Sequence, residues 1–128
     1  MSTKQLSLIF FLAVFLLAVG PAGQAAQEAW ITSLERQTNE RQPPDKVLPA
    51  IGVKPGMVIG EVGAGRGRYT VHLARGVGET GKIFANDINA RALQDLRRRW
   101  QDEGIRNVET ILGAVDNPLF PKATLDMA

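Results

Sequence analysis

Residues 61–67 read EVGAGRG, and this stretch decides the fold. It follows the apolar run MVIG at 57–60 and places a glycine at every second position. Glycine lets a backbone turn sharply and approach a ligand closely, because no Cβ intervenes. The stretch therefore predicts a strand at 57–61 that ends in a glycine turn, where the backbone makes room for a ligand.

Strand and helix patterns alternate along the chain after this turn. Leu93, Leu96 and Trp100 recur at helical spacing and predict one buried helix face. The order predicts an α/β fold, a Rossmann-like parallel sheet with right-handed crossovers and helices on both faces, with about four strands. The predicted elements are a strand at 57–61, a helix at 68–75 directly after the turn, a strand at 82–86, a helix at 90–103, a strand at 108–112 and a fourth strand from 125.

The spacing of the glycines bears on the kind of ligand. A dinucleotide site favours G-x-G-x-x-G, whereas Gly63, Gly65 and Gly67 give G-x-G-x-G and Arg68 holds the sixth position. A reductase of the NAD type is therefore disfavoured but stays an alternative.

Two acids stand at predicted strand ends, where a parallel sheet of this kind binds its ligands. Glu61 would repel a pyrophosphate but attract an ammonium group. Asp87 follows the turn by about twenty residues, a position from which an acid commonly binds ribose hydroxyls. Asp87 could also cap the helix that starts at Ala90. Together the acids favour an adenosyl amino acid as ligand.

The stretch KPGMVIGEVGAGRGRYTVHLA, followed by GKIFANDIN, resembles the class I S-adenosylmethionine-dependent methyltransferases. Residues 61–67 match the family's first motif, E/D-x-G-x-G-x-G, and Asp87 matches its acid at the end of the second strand. The family's third cofactor segment usually contains G-D-A and here reads GAVDNP at 113–118, with Ala114 in place of the usual Asp. The resemblance, which spans 46–128, implies an S-adenosyl-L-methionine site formed by Glu61, Gly63, Ala64, Gly65, Gly67, Asp87, Ile88 and Asp116, with Asp116 on the adenine amino group.

The resemblance implies methyl transfer to an acceptor that the sequence does not identify. A sulfonium donor is already activated, so the protein needs mainly to align the acceptor and exclude water. The residues found here serve the donor, and the catalytic residues stay unknown. The alternative is a non-catalytic adenosyl- or nucleotide-binding module, or a truncated fragment that lacks the acceptor site.

Composition excludes several other classes. The net charge of +2 is too balanced to indicate nucleic-acid binding, and acids interrupt the basic block at 97–99, which predicts a solvated helix face. The absence of cysteine excludes a disulfide framework and a thiol nucleophile. His72 is the single histidine and is predicted to have a packing or surface role, so no metal site is expected.

The first 25 residues have the layout of a secretory signal. Lys4 precedes the uncharged run LSLIFFLAVFLLAV, which is shorter than a membrane span requires. Gly20 and Pro21 are predicted to end this helix, and cleavage is predicted after Ala25. The protein is thus expected to be exported to the periplasm, or else anchored by an uncleaved N-terminal segment, its one predicted membrane contact.

The predicted organisation has three parts: a signal peptide at 1–25, an N-terminal helix and linker at 26–44, and a cofactor-binding part at 45–128. In the resembling family the sheet has seven strands and the fourth lies beside the first. A chain that stops in this strand would expose an apolar edge, which natural proteins avoid. The sequence is therefore expected to be the front part of a longer protein or a truncated gene, with a possible partner at the fourth strand.

Overall fold

The computed structural model describes residues 21–128, which form two units divided between Arg41 and Gln42. In the first unit, helix α1 spans Pro21–Arg41. Its first residue is the proline that was predicted to end the preceding helix, and proline suits a first turn because its missing N–H needs no partner there. Helix α1 also contains the predicted cleavage position after Ala25, whereas the apolar run at 6–19 lies outside the described residues.

No helix within residues 21–128 is both long and apolar enough to cross a membrane.

The second unit alternates helices and strands in the predicted order. Strand β1 pairs in parallel with β2, and β2 pairs in parallel with β3. The predicted α/β fold with a Rossmann-like parallel sheet is therefore confirmed. The elements of this unit are α2 (Pro44–Ala50), β1 (Val58–Val62), α3 (Thr70–Val77), β2 (Lys82–Asp87), α4 (Ala90–Asp102) and β3 (Val108–Leu112).

The last residues of the chain lie beside β1, on the side opposite β2. Met127 pairs in parallel with Ile59, and the Gly60 N–H donates to the Met127 carbonyl at 2.9 Å. The Asp126 N–H donates to the Val58 carbonyl at 2.8 Å, and the Asp126 carboxylate accepts the Val58 N–H at 2.8 Å. The segment predicted as the fourth strand thus lies beside its expected neighbour, β1, but it pairs through this single bridge and is not a strand of the three-stranded sheet.

One face of the sheet carries the apolar core beneath α3 and α4. The predicted face of α4 is confirmed, because Leu93 and Leu96 are fully buried and Trp100 packs against the core. The buried side chains of this core are Leu48, Ile59, Ala64, Leu73, Ala74, Val77, Ile83, Ala85, Leu93 and Leu96.

The opposite face of the sheet carries Gly60 and Asn86, since side chains alternate along a strand. A Cβ on Gly60 would lie 2.9 Å from the ring of Phe120, and the Asn86 amide donates to the Pro118 carbonyl at 2.8 Å. In the part of the chain that the structure describes, the connection between β3 and Met127 therefore covers this face as a loop.

Candidate functional site

The glycine turn (residues 63–67) joins β1 to α3 and is held against the end of β2. The Ala64 N–H donates to the Asn86 carbonyl at 2.8 Å, and the Gly65 N–H donates to Asp87 Oδ2 at 2.8 Å. The side chain of Ala64 points into the core, where it is 8% exposed. The turn is thus fixed at the carboxyl ends of two parallel strands, where such sheets bind ligands.

The three glycines of the turn have different roles. Gly63 and Gly65 have φ of 72° and 56°, and a Cβ on either would meet nothing within 4 Å. Gly67 has φ of 81°, but its Cβ would lie 2.0 Å from Leu96 Cδ1 on α4. Two glycines therefore leave space for a ligand, while the third permits close packing of α4.

Helix α3 begins at Thr70, so its predicted start directly after the turn was wrong. The left-handed backbone at Gly67 cannot belong to a right-handed helix, and Arg68 and Tyr69 complete the turn before the first helical residue. The helix N-terminus accordingly lies further from the glycines than the sequence indicated.

Asp87 ends β2 as predicted, and both its carboxylate oxygens accept backbone N–H groups. Oδ2 accepts from Gly65 and Oδ1 accepts from Asn89, each at 2.8 Å. The N-cap of α4 is Asn89, whose side chain accepts from Arg91 N and Ala92 N. The capping role considered for Asp87 thus belongs to Asn89. Each carboxylate oxygen has capacity for a further donor, because it carries two lone pairs.

A cleft of about 460 Å³ opens beside Asp87 at the ends of β1 and β2. Small-molecule sites commonly enclose about 300–1,000 Å³, so the cleft has the size of a ligand site. It brings together four predicted site residues: Gly63, Asp87, Ile88 and Asp116. The full lining is Val62, Gly63, Asn86, Asp87, Ile88, Ala114, Val115, Asp116, Asn117 and Pro118.

Three apolar side chains line this cleft although they are exposed. Val62 is 65% exposed, Ile88 is 59% exposed and Val115 is 91% exposed. Exposed apolar side chains that cluster often mark a binding site. Ile88 was predicted as a site residue, but the two valines were not. They stand next to the first glycine and next to Asp116.

Asn86 fixes the loop that forms the far wall of the cleft. Its side chain is 3% exposed, and Nδ2 donates to the Pro118 carbonyl at 2.8 Å and to the Ile111 carbonyl at 3.3 Å. A Cβ on Gly113 would lie 2.3 Å from this nitrogen, so the loop passes directly over the amide. Asn86 was not predicted as a site residue. The only feature of the sequence that could have indicated it is an amide side chain immediately before the strand-end acid.

Replacing Asn86 with alanine is expected to lower the free energy of unfolding by about 1–3 kcal/mol, because two carbonyls lose their buried donor. Urea denaturation followed by circular dichroism measures this loss. Gln94→Ala is the matched control, since Gln94 is exposed on α4. Equal stability of the two variants would contradict the role assigned to Asn86.

Glu61, on β1, is not among the lining residues of the cleft, and its side chain contacts the start of α3. The Thr70 hydroxyl donates to Glu61 Oε2 at 2.5 Å, and Thr70 is 0% exposed. Burial raises the pKa of Glu61 from 4.5 to about 7, while the Thr70 hydroxyl and the Arg68 charge oppose the rise. Near neutral pH this carboxyl therefore exists in both protonation states.

The other polar groups near the turn have structural contacts. Arg66 pairs with Asp95 of α4 at 3.5 Å, and Arg68 lies 5.0 Å from the centre of the Tyr69 ring. His72 packs edge-on against that ring, and burial lowers the pKa of its imidazole. Among residues 21–128, no three His, Cys, Asp or Glu side chains form a group that could hold a metal ion.

Comparisons with known proteins agree with this geometry. A family model described as "Methyltransferase domain" matches residues 59–128. A ubiquinone/menaquinone biosynthesis C-methyltransferase of Shewanella pealeana is 32% identical over 81 residues, which cover 62% of this chain and 32% of that protein. The Salmonella arizonae protein of the same name is 36% identical over 76 residues, which cover 59% of this chain and 30% of its own.

Solved structures show the same similarity. The crystal structure of a SAM-dependent methyltransferase from Aquifex aeolicus superimposes with a TM-score of 0.63 at 33% identity. The match covers 66% of this chain and 47% of that one. The chain thus spans about a third of the length of the curated relatives it matches.

Proposed function

Because this chain belongs to the methyltransferase domain family, we propose that its cleft binds S-adenosylmethionine and that the protein transfers the methyl group to an acceptor. One observation carries the proposal. The 460 Å³ cleft joins the Asp87 carboxylate, the open backbone at Gly63 and the acid Asp116 in one site.

The residues of the cleft fit the parts of this cofactor. The Asp87 carboxylate has lone pairs left for two ribose hydroxyls. Ile88 and Val115 offer exposed apolar surface for the adenine ring, and Asp116 can accept a hydrogen bond from its amino group. Glu61, which precedes the glycine turn on β1, is assigned to bind the ammonium group. The absence of a Cβ at Gly63 leaves space that any other residue would fill.

When bound, the cofactor supplies a methyl group that the sulfonium charge already activates. The protein's own contribution is to orient the donor and to limit access of water. The carboxyl and backbone groups described above orient the donor, and the apolar side chains of the cleft exclude water from it. None of these residues is assigned to the acceptor.

A non-catalytic adenosyl-binding module is the second candidate. It is favoured by the composition of the cleft: among residues 21–128, the only ionisable residues that line it are Asp87 and Asp116, both assigned to the donor. The two candidates predict the same binding and differ in turnover.

A methyl-transfer assay separates the candidates. The full product of the gene would be incubated with radiolabelled S-adenosylmethionine and with separate lipid, protein and small-molecule fractions of its host. A quinol-containing lipid fraction is the first to test, because the similar proteins are named for quinone biosynthesis. We expect label in one fraction, and none with Asp87→Ala. Cofactor binding without label in any fraction would favour the binding module.

We also propose export through residues 1–25, supported by Lys4 and the uncharged run that follows it. Mass spectrometry of the protein from separated cell compartments tests this. A periplasmic chain that begins at Ala26 is expected after cleavage, and a membrane-bound intact chain would indicate the uncleaved anchor. An intact chain in the cytosol would contradict export.

We propose that a partner chain pairs with the outer edge of the predicted fourth strand. Met127 bonds to β1 on one side, and none of the strands in residues 21–128 pairs with its other side. Unpaired strand edges readily pair with another chain. Cross-linking from Lys122 would detect such a partner, and a chain that stays monomeric and uncross-linked at high concentration would contradict it.

A further inference from the structure

We propose that Thr70 is a positioning residue for donor binding: its buried hydroxyl holds the Glu61 carboxylate in the orientation that receives the donor's ammonium group. This inference rests on the proposed function and adds a residue outside the matched first motif. It was not apparent from the sequence, where Thr70 is one polar residue in a helix.

The geometry of the pair is the first support. Thr70 is the first residue of α3 and is 0% exposed, and its Oγ1 lies 2.5 Å from Glu61 Oε2. Hydroxyl-to-carboxylate bonds of about 2.5–2.7 Å are characteristic of a charged acceptor. Because Oε2 is held in this way, the other oxygen, Oε1, is left for a further donor.

The surroundings of the pair explain why the hydroxyl matters. Burial favours the neutral form of Glu61, and the Thr70 hydroxyl is the larger of the two effects that oppose burial, ahead of the Arg68 charge. Strand β2 places uncharged Ala85 opposite Glu61. The other charged or titratable groups on the turn, α3, β2 and α4 are Arg66 and Tyr69 in the turn, His72 and Arg75 on α3, Lys82 and Asp87 on β2, and Arg91, Asp95, Arg97, Arg98, Arg99 and Asp102 on α4.

The direction of the pH effect follows from this arrangement. The pKa of Glu61 is raised to about 7, so the attraction for an ammonium group is present above that pH and is lost as pH falls through it. Removing the Thr70 hydroxyl takes away an effect that lowers this pKa. The attraction for the ammonium group should then be lost at a higher pH.

The experiment measures dissociation constants by calorimetry from roughly pH 5.5 to 9 for the whole chain and for Thr70→Val and Thr70→Ser. Two probes are compared. S-adenosylmethionine carries the ammonium group, whereas 5′-methylthioadenosine has the adenosine part without the amino acid. Thr70→Ala is also measured, because alanine and serine differ only in the hydroxyl. The pair Thr70→Ala and Thr70→Ser gives a second comparison if Thr70→Val does not fold.

We expect the affinity of the unchanged protein for S-adenosylmethionine to fall below about pH 7. If Thr70→Val moves this midpoint up by about one pH unit, its affinity at pH 7 should be about fivefold weaker than that of the unchanged protein. Thr70→Ser should behave as the unchanged protein. Binding of 5′-methylthioadenosine should be the same for every variant at every pH.

Two results would overturn the inference. The first is an unchanged midpoint in Thr70→Val and Thr70→Ala. The second is an equal loss of both probes at all pH values, which would mean that Thr70 acts only on the fold. If the unchanged protein binds neither probe at any pH, the proposed function itself fails, and the inference fails with it.

Discussion

Asp87→Ala is expected to weaken S-adenosylmethionine binding by about 100-fold or more. Hydrogen bonds to a charged group contribute about 1.5–3 kcal/mol each, and this carboxylate is assigned to both ribose hydroxyls. The substitution also removes the bond that ties Gly65 to the end of β2, so the glycine turn loses one of its two hydrogen bonds to this strand. Calorimetric titration with S-adenosylhomocysteine measures the effect without turnover.

Two variants are controls for this prediction. Asp102→Ala removes an exposed acid at the end of α4, outside the cleft lining, and it should bind as the unchanged protein does. Asp87→Asn keeps an oxygen for the Gly65 N–H but loses the charge. Its affinity for S-adenosylhomocysteine should therefore lie between those of Asp87→Ala and the unchanged protein. If folded Asp87→Ala bound within about threefold of the unchanged protein, which is under 1 kcal/mol, the ribose assignment would be wrong.

Gly67→Ala is expected to lower the free energy of unfolding by roughly 2–5 kcal/mol. Left-handed backbone costs a residue with a Cβ about 1–2 kcal/mol, and φ at Gly67 is 81°. The added Cβ would also lie 2.0 Å from Leu96 Cδ1, and Leu96 is 0% exposed, so the core has to be displaced. Overpacking of this kind costs a further 1–3 kcal/mol or so.

Gly52→Ala provides the matched control for Gly67→Ala. Gly52 has φ of 85°, but a Cβ there would meet nothing within 4 Å. Its substitution should therefore show the backbone cost alone, about 1–2 kcal/mol. Urea denaturation of the two variants gives the difference that the contact with Leu96 contributes. Equal losses would show that Gly67 is required for its backbone conformation and not for packing.

The sequence predicted the strands well because strand bounds depend on local patterns, whereas the place of the fourth strand beside the first was implied by the family resemblance. The predicted bounds of β3 match the observed Val108–Leu112, and Met127 of the predicted fourth strand pairs with Ile59 of β1. The function of Gly67 could not be predicted, because it depends on Leu96, which is distant in the sequence and adjacent only after α4 has packed.

The charged residues of the candidate site were predicted from the sequence. The residues that hold the site in place through buried hydrogen bonds were not. Asp87, Ile88 and Asp116 line one cleft; Asp87 was predicted from its place at a strand end, and Ile88 and Asp116 were implied by the family resemblance. Asn86 and Thr70 act through buried hydrogen bonds to partners on other elements. Such partners cannot be read from a single sequence, where a buried amide or hydroxyl looks the same as a solvated one.

Calorimetric titration of the chain with S-adenosylhomocysteine and with NAD tests the central claim most directly. The account predicts one binding site for S-adenosylhomocysteine per chain and no measurable binding of NAD, because the glycine spacing and Glu61 disfavour a pyrophosphate. The opposite preference, or no binding of S-adenosylhomocysteine to a chain shown to be folded by circular dichroism, would contradict the assignment of the cleft.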